Sequence, residues 1–295
     1  MEGSSLEGVI LNVDFLKNCG MGKATGMGKK VIVLGGGNVA FDCARSAKRL
    51  GAEEIHVACL EAREHMTADE EEIQQAVEEG IMIHPAQTFE RITGTGHVTG
   101  VDFMNVKSFT FDENHRAVIH REENSEHHIE ADTVIFAVGQ RPDITEEAGL
   151  ALGRGNSIAV RDIETDKATS VDGIFAAGDA IYGTKSVIMA IESGREAAAQ
   201  IDQYLGGNGD ISEKLAPEQK PDAYIGICEG FGYMQRKNRC IDSPESRCNN
   251  FELFDHGICD SDICAEAGRC LQCDLRLQIS KPRVWGDYAE GKEEK

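Results

Sequence analysis

Lys30-Val-Ile-Val-Leu-Gly-Gly-Gly-Asn-Val-Ala40 is the stretch from which the fold is read. Its first five residues hold a β-branched run, Val31 to Val33, which predicts a buried strand running into a tight turn. The turn carries the pattern Gly35-x-Gly37-x-x-Ala40, with Gly36, Asn38 and Val39 between. In such a turn the first glycine makes the sharp bend and the second lets backbone approach a pyrophosphate. A small third residue permits close helix–strand packing, and the following helix points its N-terminus at the phosphates. A plain strand–turn–helix with no ligand is the alternative.

The context favours the ligand. Asn38 to Leu50 reads as a helix stopped by Gly51, and Glu54 to Cys59 as a second strand. Glu61 follows that strand, where a carboxylate can accept from both ribose hydroxyls of an adenosine. A 2′-phosphate there meets repulsion, with Arg63 the nearby positive charge. NAD is therefore expected over NADP. Ala68 to Glu79 reads as an acidic helix and Ile81 to His84 as a third strand, the order of a parallel sheet with right-handed crossovers.

Val98 to Ile129 alternates and carries a turn signal at Asp112-Glu-Asn114, which predicts an antiparallel meander. Ala131 to Gly139 returns to a buried strand, and Gly173 to Gly178 predicts another. Ser186 to Leu205 reads as a long helix. Val187, Ala190, Ile191, Gly194, Ala198, Ile201 and Leu205 form its small or apolar face. Gly206 to Gly209 marks a boundary, and Glu290 to Lys295 is expected to be disordered. Residues 1–27 are expected to be a linker.

The chain has 295 residues and a net charge of −21, with 41% hydrophobic and 27% charged residues. That length can bury a sizeable core. The charge disfavours nucleic acid and anionic membrane as partners, since both are held by Lys and Arg; solubility alone explains most of it. No apolar run approaches the roughly 20 residues of a membrane span. No export signal is read at the N-terminus, so a cytoplasmic setting is expected.

Of the ten cysteines, seven lie between Cys228 and Cys273. Cys259-x4-Cys264-x5-Cys270-x2-Cys273 can complete a 4Fe–4S cluster or a zinc site. Its spacing matches neither a ferredoxin run nor a two-knuckle zinc pattern. Cys228, Cys240 and Cys248 are further ligand candidates or buried small hydrophobes. His127-His128 reads as an exposed polar loop, and Asp69 to Glu72 as a solvated first helical turn. No catalytic triad or paired-carboxylate site is discernible, and no catalytic residue is assigned. The absence of a redox-active Cys-x4-Cys in the flavin and nucleotide regions disfavours thiol–disulfide chemistry.

Val31 to Arg45, Arg63-Glu-His-Met66 and Asp69-Glu-Glu71 together resemble the small subunit of glutamate synthase. These proteins and their relatives are FAD- and pyridine-nucleotide-dependent oxidoreductases of the pyridine nucleotide-disulfide oxidoreductase superfamily. The resemblance runs from about Leu6 to Leu205. It resumes at Glu266 to Leu275, similar to the family's iron–sulfur signature. NADPH-using members carry paired arginines where this chain has Leu60 and Glu61, which agrees with the carboxylate reading.

The resemblance implies a Rossmann-like α/β nucleotide domain, with parallel sheet and meander in three layers, over 28–138. It implies the second half of a FAD-binding domain over 139–206 and a Cys-rich tail over 207–295. Ala137 to Pro142, with Gly139, looks like the strand returning to the flavin domain. Gly178 and Asp179 are implied to approach the flavin's ribityl and pyrophosphate. Lys185, Ser186 and Val187 are implied at the helix end beside the isoalloxazine, where the dipole favours anionic reduced flavin. A capped strand–turn–helix is the alternative. An adjacent flavin favours iron over zinc in the tail, because flavin splits a hydride into single electrons.

The first FAD half is not read upstream. A partner subunit is expected to supply it; a fragment and a lost site are the alternatives. The function expected is an electron-transfer subunit of a redox complex, working between NAD(H), FAD and a 4Fe–4S cluster. A non-catalytic assembly subunit with a metal-binding tail is the second reading. A fragment of a glutamate synthase small subunit is the third.

Overall fold

The computed structural model describes residues 1–111, 117–144, 149–212 and 229–271. Asp112 to Asn114, Cys228, Cys273 and Glu290 to Lys295 lie outside the described residues. Two compact units are formed, Met1–Ser212 with Pro244–Phe251, and Glu213–Ser243 with Glu252–Lys295.

In the first unit β1 (Val9–Leu11) leads into α1 (Asn12–Gly20), and β2 (Lys30–Leu34) into α2 (Asn38–Arg49). Then come β3 (Glu54–Ala58), α3 (Glu70–Glu78) and β4 (Met82–His84). Four strands follow, β5 (Gln87–Thr95), β6 (His97–Phe111), β7 (Ala117–Arg121) and β8 (His127–Glu130), before β9 (Thr133–Phe136). β1, β9, β2, β3 and β4 form one parallel sheet in that order. β5 to β8 form an antiparallel sheet around β6.

Strand alternation divides the apolar residues between two faces. Val31, Val33 and Ile135 pack with Phe15, Phe41, Ala44 and Ile73 of the helices. Ile32, Leu34 and Val134 pack on the other face against Val98, Val101 and Phe103 of the antiparallel sheet. The result is helices, parallel sheet and antiparallel sheet in three layers. Each such Val, Ile, Leu or Phe side chain, fully buried, contributes about 1.5–3 kcal/mol.

Residues 1–27 are not a linker. Val9 pairs with Val134 and Leu11 with Phe136 in the parallel sheet, and Phe15 of α1 is fully buried. A three-residue strand has too little periodicity to be read locally, and it is fixed by β9. The antiparallel sheet also begins earlier than expected, at Gln87. There Glu90 and Arg91 interrupt the alternation, but Thr88 and Ile92 are buried. His127 and His128 are on a strand rather than in a loop. His127 stacks on Phe103, and His128 Nδ1 lies 2.7 Å from Asp102.

Beyond β9 the chain forms a hairpin of β10 (Val160–Asp162) and β11 (Asp166–Thr169), then α4 (Asp179–Tyr182) and α5 (Val187–Tyr204). Gly173 to Gly178 is not a strand. Its ladder is a single bridge, Ala168 to Phe175, because no further strand lies beside it among the described residues. The buried side of α5 is Ser193 and Ala197. Its expected apolar face is at the surface, with Val187 75%, Ile191 59% and Leu205 77% exposed.

Pro244–Phe251, expected within the tail, belongs to the first unit. Its short helix α6 (Pro244–Arg247) inserts Arg247 against the end of α3. In the second unit Cys240 and Gly257 pair through backbone, and α7 (Asp260–Gly268) follows Cys259.

Candidate functional site

The carboxyl ends of β1, β9, β2 and β3 open on one cavity of about 640 Å³. Gly35 carries φ 141°, and a Cβ there would lie 2.4 Å from the Ala137 carbonyl oxygen. A Cβ on Gly36 would lie 2.9 Å from Cys59 Cβ and 3.2 Å from Glu61 Oε2. The turn is therefore pressed against β9 and β3, and only bare backbone fits. Gly37 caps α2, whose first turn holds no acidic residue. Free N–H groups and the helix dipole together suit an anion at that point. Ala40 is fully buried under the turn, where it permits close packing and does not face the cavity.

Asn38 ties this turn to the next loop. Its Oδ1 accepts from the Asp69 N–H at 2.8 Å, and the Ala68 N–H donates to the Gly36 carbonyl at 3.1 Å. Thr67 is thereby placed on the cavity wall.

Glu61 lines the cavity, and no cation pairs with its carboxylate among the described residues. Arg63 is held elsewhere, its Nη2 2.6 Å from Glu70 Oε1, and is not on the cavity wall. Cys59 sits behind Gly36. Burial, then the neighbouring Glu61 charge, pushes its thiol up to about 12, so it is an inert wall rather than a nucleophile.

Val39, Gly139 and Lys185 also reach this cavity. A second hollow of about 330 Å³ lies at the head of α5, lined by Asp179, Lys185, Ser186, Val187, Ala190 and Ile191. Asp179 Oδ1 accepts from the Lys185 N–H at 3.2 Å, and Ser186 Oγ caps α5 by accepting from the Met189 N–H at 3.3 Å. Gly178, at φ 65°, donates its N–H to Ser193 Oγ and lines neither hollow. Asn12, Thr67 and Thr184 are cavity residues that sequence reasoning missed. The signal for Asn12 lay in a segment read as linker.

The glycine turn, the helix end and Glu61 fit a dinucleotide. The hollow at α5 has the capped helix end and the Asp179 carboxylate that a flavin half-site needs, but it is open on the side of Val187 and Ile191. In the second unit Cys259, Cys264 and Cys270 are exposed. Cys259 Sγ lies 3.2 Å from Ser261 Oγ, and no group of three ligand side chains converges among the described residues. The fourth expected thiolate, Cys273, lies outside them. Cys240 is also exposed, which excludes its reading as a buried small hydrophobe. No helix among the described residues is long and apolar enough to cross a membrane.

Comparison with known proteins agrees with this geometry. The NADP(+)-dependent formate dehydrogenase subunit beta of Moorella thermoacetica is 31% identical over 92% of this chain and 40% of its own length. The NADPH-Fe(3+) oxidoreductase subunit beta of Geobacter sulfurreducens is 30% identical over 88% of the chain and 44% of its own. The glutamate synthase [NADPH] small chain of Azospirillum brasilense is 32% identical over 73% of the chain and 48% of its own. The chain thus spans less than half the length of each of these relatives.

Among solved structures, T. acidophilum thioredoxin reductase matches with a TM-score of 0.51 at 23% identity, over 69% of this chain and 60% of that one. Mycobacterium tuberculosis FprA matches with a TM-score of 0.57 at 13% identity, over 70% and 60%. Both share the fold. The family profile of the pyridine nucleotide-disulphide oxidoreductases matches residues 1–194, and with the glycine turn and three-layer architecture in place, the chain belongs to that family.

Proposed function

We propose that the chain is the NADH-binding, electron-transferring part of a multi-subunit oxidoreductase. The observation that carries this reading is the position of Lys185. It lines both the dinucleotide cavity and the hollow at the head of α5, so groups bound in the two would be neighbours. When bound, a nicotinamide dinucleotide exchanges a hydride with a flavin, and an iron–sulfur cluster carries electrons singly. The chain's own residues bind and orient. The Gly35–Val39 backbone holds the pyrophosphate, Glu61 the adenosine ribose, and Asp179 with the N-terminus of α5 the flavin side. Cys259, Cys264, Cys270 and Cys273 are the ligands proposed for a 4Fe–4S cluster.

NADH over NADPH is supported by the unpaired Glu61 carboxylate and by the engagement of Arg63 with Glu70. The three relatives carry NADP(H) in their names, so cofactor choice is a property on which this chain is proposed to differ. The exposed apolar head of α5 supports a partner that brings a Gly-x-Gly-x-x-Gly strand–helix unit to complete the flavin site. The terminal substrate is proposed to bind that complex, in a cytoplasmic setting.

A cofactor inventory of the native complex, chain by chain, tests the reading. Flavin reduced by NADH, with iron on this chain, is expected. Zinc without flavin absorbance would move the chain to an assembly role.

A further inference from the structure

Asn12 stands out among the residues on the dinucleotide cavity. It is 5% exposed, and it opens α1 directly after β1. Its Oδ1 accepts from the Val13 N–H at 2.9 Å. That bond fixes the amide's orientation, since the flipped form would set NH2 against N–H. The Nδ2H2 group is left with no protein acceptor among the described residues. It is not sealed from solvent, because the sealed unpaired side-chain atoms among the described residues are Gln87 Oε1 and Arg269 Nε. The residue that carries this free donor lines the cavity. A purely structural role at a helix start needs only an acceptor, which Ser, Thr or Asp would supply. The amide brings donors that the fold does not use.

The strand order says which part of a ligand this donor meets. β3, which Glu61 follows, lies on one side of β2, while β9 and β1 lie on the other. With strands about 4.8 Å apart, Asn12 is two strands from the glycine turn, away from Glu61. A dinucleotide with its pyrophosphate at α2 and its adenosine at Glu61 must send its other half over β9 toward β1.

We propose that Asn12 is a nucleotide-binding residue, donating from Nδ2 to an acceptor oxygen of the nicotinamide mononucleotide half. The proposal rests on the dinucleotide reading of the cavity. It adds a second contact at the opposite end from Glu61.

Titration calorimetry of the full chain with NADH and with 5′-AMP, which carries only the adenosine half, tests it. Asn12→Asp keeps an oxygen for the Val13 N–H and removes the donor; Asn12→Ala removes both. Each is expected to weaken NADH roughly tenfold, the loss of one hydrogen bond. AMP affinity should stay within about twofold. Unchanged NADH affinity overturns the proposal. So does equal weakening of both ligands, which would mean that Asn12 acts through the fold. If wild type binds neither ligand, the dinucleotide reading itself fails and takes the proposal with it.

Discussion

Arg247 Nε donates to Glu79 Oε1 at 2.9 Å, which ties α6 to the end of α3. The Glu79 side chain has no exposed area, and it also accepts from Arg45 Nη2 at 2.8 Å and Arg49 Nη1 at 3.0 Å. Arg247 Nη2 reaches Glu78 Oε2 at 2.8 Å. Burial pushes the Glu79 carboxyl up, but Arg45 and Arg49 hold it below the usual carboxylate range. Glu79→Gln leaves the arginines around a neutral amide and should cost about 3–5 kcal/mol in urea unfolding. Arg247→Met removes one of several partners and should cost about 1–3 kcal/mol, with faster proteolysis near residues 244–251. An Arg247→Met protein as stable and as protease-resistant as wild type would count against the clasp.

Glu61 should set cofactor choice. Glu61→Ala is expected to weaken NADH roughly tenfold, by loss of hydrogen bonds to the ribose. Glu61→Arg should weaken NADH and admit NADPH. Wild type that binds both nucleotides equally would show that Glu61 does not read the ribose.

Cys270→Ser is expected to abolish a low-potential paramagnetic iron signal while NADH affinity stays unchanged. Iron analysis and low-temperature spectroscopy of the reduced protein check both halves of that statement. Iron content that is unaltered in Cys270→Ser and in Cys273→Ser would place any cluster elsewhere.

The head of α5 should matter to assembly and not to the chain itself. Ile191 is 59% exposed, so Ile191→Asp should change stability by no more than about 0.5 kcal/mol. The same substitution should block stoichiometric flavin binding in the presence of a partner that carries the other flavin half. A variant that assembles normally would mean that this face is free in the complex.

Stability should fall as pH drops below neutrality. His56 Nδ1 lies 2.8 Å from His84 Nε2, a contact that requires one proton between them, and His56 Nε2 faces Glu54 at 3.1 Å. Burial, then His56 and His127, hold His84 below its ordinary 6.5. A depressed folded value favours the neutral ring, so its contribution is full above pH 6.5 and is lost as pH falls through the folded value. The melting temperature should drop between pH 7 and pH 5, and His84→Gln should flatten part of that drop. Glu54, lowered chiefly by its bond to His56, loses its contribution only below about 4.5.

What could be read from sequence was what repeats over short distances. Lys30–Leu34 and Asn38–Arg49 have five and twelve residues to establish a period, and they lie where predicted. Val9–Leu11 has three residues and is a strand only because β9 is beside it. Gly173 to Gly178 has the composition of a strand, but among the described residues its pairing is a single bridge, Ala168 to Phe175. Glu61 was legible because it follows a recognisable strand at a set distance from the glycines. Asn12 was not, because its place on the cavity depends on a pairing made far along the chain. Arg247 was hidden for the same reason: its partners, Glu78 and Glu79, are at the end of α3, far back along the chain.

The pairing of β1 has a consequence for the order in which the chain acquires structure. Its partner in the parallel sheet is β9, so Val9 to Leu11 waits unpaired in that sheet until Phe136 has been made. At ordinary elongation rates that is on the order of ten seconds of synthesis. During that time β2, β3 and β4 can pair with each other in sequence, while the far wall of the cavity does not yet exist. Long-range parallel pairing of this kind closes late and slowly. The glycine turn can thus form on a nascent chain before Asn12 is brought beside it, and grip on a whole dinucleotide is a property of the finished sheet.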